Sequence, residues 1–247
     1  MTDRLDALSQ ALISAHDGGA PVGPVAAEDV PADMAAVYAL QNKIMAGIGP
    51  SGGWKILAGG EGEPICSPIP ANRYFENGAT LDAAKHRFII AEVEVAVKLG
   101  ADLTGTVNAE TAHAAIASVH PALEFVGNPF VDRDATPRNL QLGDLQSNGA
   151  VVVGPAISGD IQSAVQTLAV SLSYDSAVSK SVETGANWSD ILAALVWLAP
   201  HAEKRGYPLR AGQVIITGAR VATPMGYAKQ VEGSFGAWGK VSATCTR

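Results

Sequence analysis

The sequence predicts an α+β fold, with N-terminal helices followed by a strand-rich body whose β core is mixed or antiparallel. Three observations carry this. Leucines at helical spacing mark the N-terminal part. From Phe88 onward, apolar and β-branched runs recur between Gly- and Pro-bearing turns. Strands and helices do not alternate regularly, which argues against a βαβ array.

Leu5, Leu8 and Leu12 predict a first helix over 3–16, and Gly18-Gly19 stops it. Ala20 to Asp29 is a connector. Pro31 suits the first turn of a second helix, with Val37, Leu40 and Ile44 as its apolar stripe and Gly47 to Gly53 at its end. Trp54 to Leu57 is a short strand in which Lys55 faces opposite to Trp54 and Ile56. That places Lys55 either toward solvent or into a site. Ala58 to Thr80, with Pro64, Pro68 and Pro70, is expected to be irregular. Leu81 to Leu99 returns to strand character. Ala109 to Val119 reads as a helix that Pro121 ends, and Pro121 to Val126 as a second apolar strand.

Gly127 to Gly143 is a loop with room for one helical turn. Gly143 to Gly149 is polar, and its aspartate, serine and amides suit either a pocket wall or an ordinary turn. Ala150 to Gly154 is a strand. Thr167 to Tyr174 and Ser176 to Val182 form a hairpin. Asn187 is expected to cap a helix with Asp190 at its third position, Ile191, Leu195 and Leu198 as its buried stripe, and Pro200 at a kink or break. Val214 to Thr217 is a strand, Gly218 to Phe235 is irregular, and Lys240 to Thr246 is the last strand.

Charge and composition narrow the function. The 247 residues are 47% hydrophobic and 17% charged, with a formal net charge of −7. An acidic chain without a Lys/Arg run lacks the cationic face that nucleic acid needs. No stretch approaches the roughly 20 apolar residues of a membrane span. Residues 1–19 carry Asp3, Asp6 and Asp17 and no continuous apolar core, unlike an export signal. The expectation is a cytoplasmic protein in which Cys66 and Cys245 are free thiols. There is no phosphate loop and no zinc-type spacing among the five histidines.

The stretch Ala91-Glu92-Val93-Glu94-Val95-Ala96-Val97 puts two carboxylates on one face of an apolar strand. Two acids there either face water at a sheet edge or need a compensating proton, base or cation. Glu124, in the second apolar strand, adds a third acid.

Several segments together resemble one family: AAVYALQ from Ala35 to Gln41, Gly53-Trp54-Lys55-Ile56, Ala91 to Glu94, Pro121 to Gly127, and Asp144 before Gly149. Leu195 to Ala199, Ala211 to Ala219 and Gly236 to Ser242 extend the series. The chain resembles the 2-keto-4-pentenoate hydratase and 4-oxalocrotonate decarboxylase branch of the fumarylacetoacetate hydrolase superfamily. The resemblance implies a fumarylacetoacetate-hydrolase-like β core, with residues 1–57 as a helical segment packed on a catalytic domain of residues 58–247. It implies Mg²⁺ or Mn²⁺ held by Glu92, Glu94 and Glu124, with Lys55 and Asp144 as catalytic residues. Substrate would lie against Lys55, Leu123, Ser147 and Thr217. The implied activity is a lyase of aromatic catabolism acting on a 2-oxo or 2-hydroxydienoic acid. Hydration through an enolate comes first; 4-oxalocrotonate-type decarboxylation or a non-catalytic role in a decarboxylase/hydratase complex are the alternatives. Apolar content and β edges suggest a homo-oligomer. The sequence departs from the family at Leu57 to Gly60, at Leu145 and at Ala186 to Trp188.

Overall fold

The computed structural model describes residues 2–246. Helices α1 (Thr2–His16) and α2 (Met34–Ile48) come first, then strands β1 (Ser51–Ile56), β2 (Cys66–Pro70), β3 (Tyr74–Glu76), β4 (Ala79–Asp82) and β5 (Phe88–Leu99). Helix α3 (Ala109–Ala115), β6 (Ile116–Gly127), α4 (Arg138–Gly143), β7 (Asn148–Val153) and α5 (Ile161–Ala164) follow. The chain closes with β8 (Val170–Tyr174), β9 (Ala177–Val182), α6 (Trp188–Lys204), β10 (Val214–Pro224), β11 (Gln230–Ser234) and β12 (Lys240–Thr246). Among the described residues no helix is long and apolar enough to cross a membrane.

Seven strands form a mixed sheet in the order β2-β1-β10-β5-β6-β7-β3. Its two outer strands, β2 and β3, are consecutive in the chain and separated only by Ala71–Arg73. Three residues reach no more than about 11 Å, far less than the width of a flat seven-stranded sheet. The sheet therefore curls until its ends meet. Tyr74 Oη of β3 donates to the Val214 carbonyl of β10 at 2.8 Å across the closure. Gly53 permits it: a Cβ there would sit 1.8 Å from the Val214 oxygen.

The outer face of this sheet packs on a second sheet, β4-β12-β11-β8-β9. Val93, Val95, Leu123, Phe125 and Val152 enter that core with Leu172, Val231 and Val241. The inner face carries a smaller apolar set, Ile69, Ala96, Ala122, Val151, Val214 and Ile216. Period-two alternation sends odd- and even-numbered residues of β5 and β6 to different sides. The helices α1 and α2 build a core of their own from Leu8, Leu12, Leu40, Ile44 and Met45. Phe130, Leu140 and Leu145, from the β6–β7 connection, complete it. That packing ties the N-terminal helices to a segment that reaches the inner face.

Several expectations need correction. Asp33, not Pro31, begins α2, its carboxylate accepting from the Ala36 amide at 2.8 Å. Ala58 to Thr80 is not irregular throughout, since it contains β2, β3 and the start of β4. Pro68 and Pro70 are tolerated because β2 is an outer strand with one neighbour. Helix α3 stops at Ala115, and Pro121 lies inside β6. Its carbonyl accepts from Gly154 just past the end of β7, so its missing N–H removes no ladder bond. Asn187 precedes α6 without a side-chain cap; its amide donates to Asp190 instead. Helix α6 continues through Pro200. The segment after Gly218 continues β10 and adds β11. Cys66 and Cys245 are buried thiols outside any disulfide, as expected.

Helix α6 contacts α2 through His201, stacked on Trp197 at 4.5 Å and edge-on to Tyr38 at 4.7 Å. Burial, then Arg205 and Lys204, lower the His201 pKa from 6.5 to about 4. The unfolded chain therefore binds a proton that the fold rejects between those values. This contribution is complete above the unfolded value and is lost as pH falls through the folded one. Chemical denaturation of wild type and His201→Phe should show wild type losing more stability on acidification. Equal losses in both proteins would refute this assignment.

Candidate metal centre

Strand pairing sets the acidic cluster. Glu92 and Glu94 lie two apart on β5, and Glu124 on β6 is the direct cross-strand partner of Glu92. The register pairs Ala122 with Glu94, so a small side chain leaves room beside the acids. Single ligand atoms from Glu92, Glu94 and Glu124 all lie within 4.8 Å of one another. Glu124 is fully buried and Glu94 is 2% exposed.

Lys55 reaches this cluster from β1, three strand spacings from β6 in sheet order. On a flat sheet that separation is about 14 Å; the curl closes it. Lys55 Nζ donates to both oxygens of Glu124 at 2.6 and 2.7 Å. Asn148 Nδ2 adds a third bond, to Oε1, at 2.8 Å. Glu94 accepts from the Gly218 amide at 2.7 Å. A register shift in β10 between Ile216 and Ala219 presents that amide, and Gly218, with φ +114°, suits it.

The acids repel one another in a desolvated place. Burial, then Glu124, raise the Glu92 pKa to about 7. Burial, Glu124 and Glu92 raise Glu94 well above the ordinary carboxylate range. Burial opposes the charge on Lys55, but Glu124, Glu92 and Glu94 outweigh it and raise its pKa. One ammonium cannot neutralise three carboxylates. An all-oxygen cluster with no histidine or cysteine suits a hard divalent cation, with coordination positions left for water or substrate.

The other expected site residues are placed differently. Leu123 points to the opposite face of β6, into the main core. Alternation with Glu124 decides this, so Leu123 does not line the acidic centre. Thr217 donates to the Val95 carbonyl at 2.8 Å and fixes the β10 irregularity. It also lines a cavity of about 220 Å³ with Asn187, Asp190, Gly218 and Arg220. Ser147 is buried, its hydroxyl accepting from Arg133 at 2.9 Å. Asp144 is fully buried 2.6 Å from His16 Nε2. Burial is the main cause that lowers the His16 pKa, so the ring is neutral at pH 7 and its Nε2–H donates to the carboxylate.

Sequence reasoning missed Asn148, His16 and Arg133. Asn148 was legible only as an amide beginning an apolar strand. Between Asp144 and Asn148, Leu145, Gln146 and Ser147 all have left-handed backbones, at φ 48°, 53° and 57°. Such a run without glycine is strained. Leu145 in the helical core and Ser147 on Arg133 hold it.

The fumarylacetoacetate (FAA) hydrolase C-terminal family profile matches residues 59–236. The chain belongs to the fumarylacetoacetate hydrolase family. Its matched span contains all three glutamates, whereas Lys55 lies just before it. The chain is 28% identical over 171 residues to 4-oxalocrotonate decarboxylase of a Pseudomonas species, covering 68% of this chain and 64% of that protein. It is 30% identical over 190 residues to REH2-associated factor 2 of Trypanosoma brucei brucei, covering 74% and 68% respectively. A solved 4-oxalocrotonate decarboxylase from Pseudomonas putida G7, complexed with magnesium and adipate, superposes with a TM-score of 0.82 at 21% identity. That match covers 100% of this chain and 98% of the other. A 2-hydroxyhepta-2,4-diene-1,7-dioate isomerase from Mycobacterium marinum superposes at 0.60, with 18% identity and 78% and 73% coverage. The α+β fold with a β-rich, fumarylacetoacetate-hydrolase-like core is thus the one expected.

With a pKa raised to about 7, Glu92 is about half protonated at pH 7, and the Glu94 pKa is raised as well, so a bound cation must displace protons. Cation affinity should therefore rise from about pH 6 to about pH 8, with proton release on binding. Mn²⁺ titration calorimetry in buffers of different ionisation enthalpy measures both. An affinity independent of pH, with no proton release, would contradict the coupling.

Proposed function

We propose that this member of the fumarylacetoacetate hydrolase family is a divalent-cation-dependent lyase of 2-oxo or 2-hydroxydienoic acids, and that its reaction is decarboxylation of a 4-oxalocrotonate-type substrate. The convergence of Glu92, Glu94 and Glu124 carries this reading. Mg²⁺, with Mn²⁺ as substitute, is the cation proposed for these residues. When bound, it supplies Lewis-acid stabilisation of negative charge on the C2 oxygen of a chelating 2-oxo acid.

The chain's own residues supply the rest. Glu124 is held by Lys55 and Asn148, and Glu94 by the Gly218 amide, so two of the carboxylates are oriented before any ligand arrives. Lys55 keeps its proton, since its pKa is raised. Its ammonium is poised to donate to the substrate carboxylate or to the C2 oxygen. Ala96, Ala122, Val151 and Ile216 line the inner face and limit water around the carbon chain. Loss of CO₂ needs an electron sink at C2 and a later proton. It needs no base to deliver water. Asp144, to which the resemblance gives water or proton handling, is engaged by His16. Relatives named as decarboxylases over the matched length also favour this reaction over hydration.

Hydration keeps one specific support. The polar cavity lined by Asn187, Asp190 and Thr217 adjoins Gly218, the donor to Glu94, and offers water a route. A non-catalytic association role rests on the relative named an associated factor. Self-association is part of the proposal, supported by the outer strand β9, whose Val178 is 67% exposed.

One assay separates these readings. Purified protein is supplied with 4-oxalocrotonate and Mg²⁺, while CO₂ release and hydration products are followed. Decarboxylation predicts CO₂, abolition by EDTA, recovery with excess Mg²⁺, and a loss of about 100-fold or more in kcat/KM for Glu92→Gln. Hydrated product without CO₂ would replace decarboxylation by hydration. No turnover and no cation dependence would leave only the association role.

A further inference from the structure

A second polar cavity, of about 360 Å³, lies between α1, the end of α2, the β2–β3 connection and the β4–β5 turn. Neither Lys55 nor any of the three glutamates lines it. Its cations are Arg73 and Lys85. The imidazoles of His16 and His86 also face it, while Ile13, Ile48 and Phe75 give it apolar walls. Asp17 is the acid in the lining; its side chain is 87% exposed and sits 3.2 Å from Lys85.

Arg73 is the informative residue. It is 7% exposed. Among the described residues its guanidinium has one hydrogen bond, to the Asn148 carbonyl, and no carboxylate at ion-pair distance. The acids it senses electrostatically are Asp144 and Glu124. Both are engaged elsewhere, Asp144 by His16 and Glu124 by Lys55 and Asn148. Burial lowers the Arg73 pKa only to about 10, so it remains charged at neutral pH. A guanidinium has five donors in a planar fork that matches carboxylate and phosphate oxygens. A buried cation facing a cavity with its donors largely unused calls for an anion.

We propose that this cavity is a binding site for a small organic oxyanion, a carboxylate or a phosphate monoester. Arg73 anchors the anionic group, Lys85 adds charge at the rim, His86 offers a ring N–H, and the carbon skeleton rests on Ile13, Ile48 and Phe75. The site is distinct from the acidic centre and does not depend on a cation being bound there.

The test uses full-length protein stripped with EDTA, so that the acidic centre cannot contribute through a cation. Calorimetry follows succinate and, separately, inorganic phosphate. The expected result is saturable one-to-one binding of at least one probe. Binding of succinate alone identifies a carboxylate ligand, and binding of phosphate alone a phosphate ligand. Lys85→Met, at the half-exposed rim, should weaken binding about tenfold. Arg73→Lys keeps the charge but loses the fork and should weaken it at least as much. Glu92→Gln should leave it unchanged. Failure of both probes to bind at about 10 mM would overturn the proposal. So would binding that survives both Lys85→Met and Arg73→Lys, or binding that is lost in Glu92→Gln.

Discussion

Three carboxylates share the inner face of one curled sheet, and their mutual repulsion is the constraint that the surrounding structure answers. Glu92 and Glu124 are paired across β5 and β6, with Glu94 one repeat along. Desolvated by burial, they favour protonation, a counter-charge or a cation. The structure supplies part of the answer itself. Lys55 spans the curl to take both oxygens of Glu124, Asn148 shares one of them, and the Gly218 amide takes an oxygen of Glu94. The charge that Lys55 leaves unbalanced is what suits the centre to a hard divalent ion.

The fold can be understood as the scaffold for that pairing. The three-residue link between β2 and β3 forces the two ends of the sheet together, and Gly53 leaves room for the Tyr74–Val214 contact across the closure. Without closure, the lysine on β1 would lie too far from β6. The N-terminal helices act from the other side. Their leucine core captures Leu145, and His16 captures Asp144. Those contacts hold the left-handed run that delivers Asn148 to Glu124. A helical segment remote in sequence thus shapes the orientation of a carboxylate in the sheet.

Much of this was legible in the sequence. The spacing of Leu5, Leu8 and Leu12 gave α1, and the apolar runs around Glu92, Glu94 and Glu124 gave β5 and β6. The even spacing of Glu92 and Glu94 put them on one face. The reasons for the failures are physical. Prolines in Cys66–Pro70 read as loop signals, because a sequence does not show that a strand has only one neighbour. Pro121 read as a helix end, because only the end of β7 makes its missing amide harmless. Leu123 was assigned to the substrate although alternation from Glu124 turns it to the core. The His16–Asp144 and Asn148–Glu124 contacts join residues 128 and 24 positions apart, and no local pattern encodes them.

The central claim is that the three glutamates bind one divalent cation together. Crystals equilibrated with Mn²⁺ and measured for anomalous scattering test it directly. The account predicts a single strong anomalous peak enclosed by carboxylate oxygens of Glu92, Glu94 and Glu124, absent from Glu92→Gln crystals. A peak at another place, or no peak with the glutamates still clustered, would contradict it.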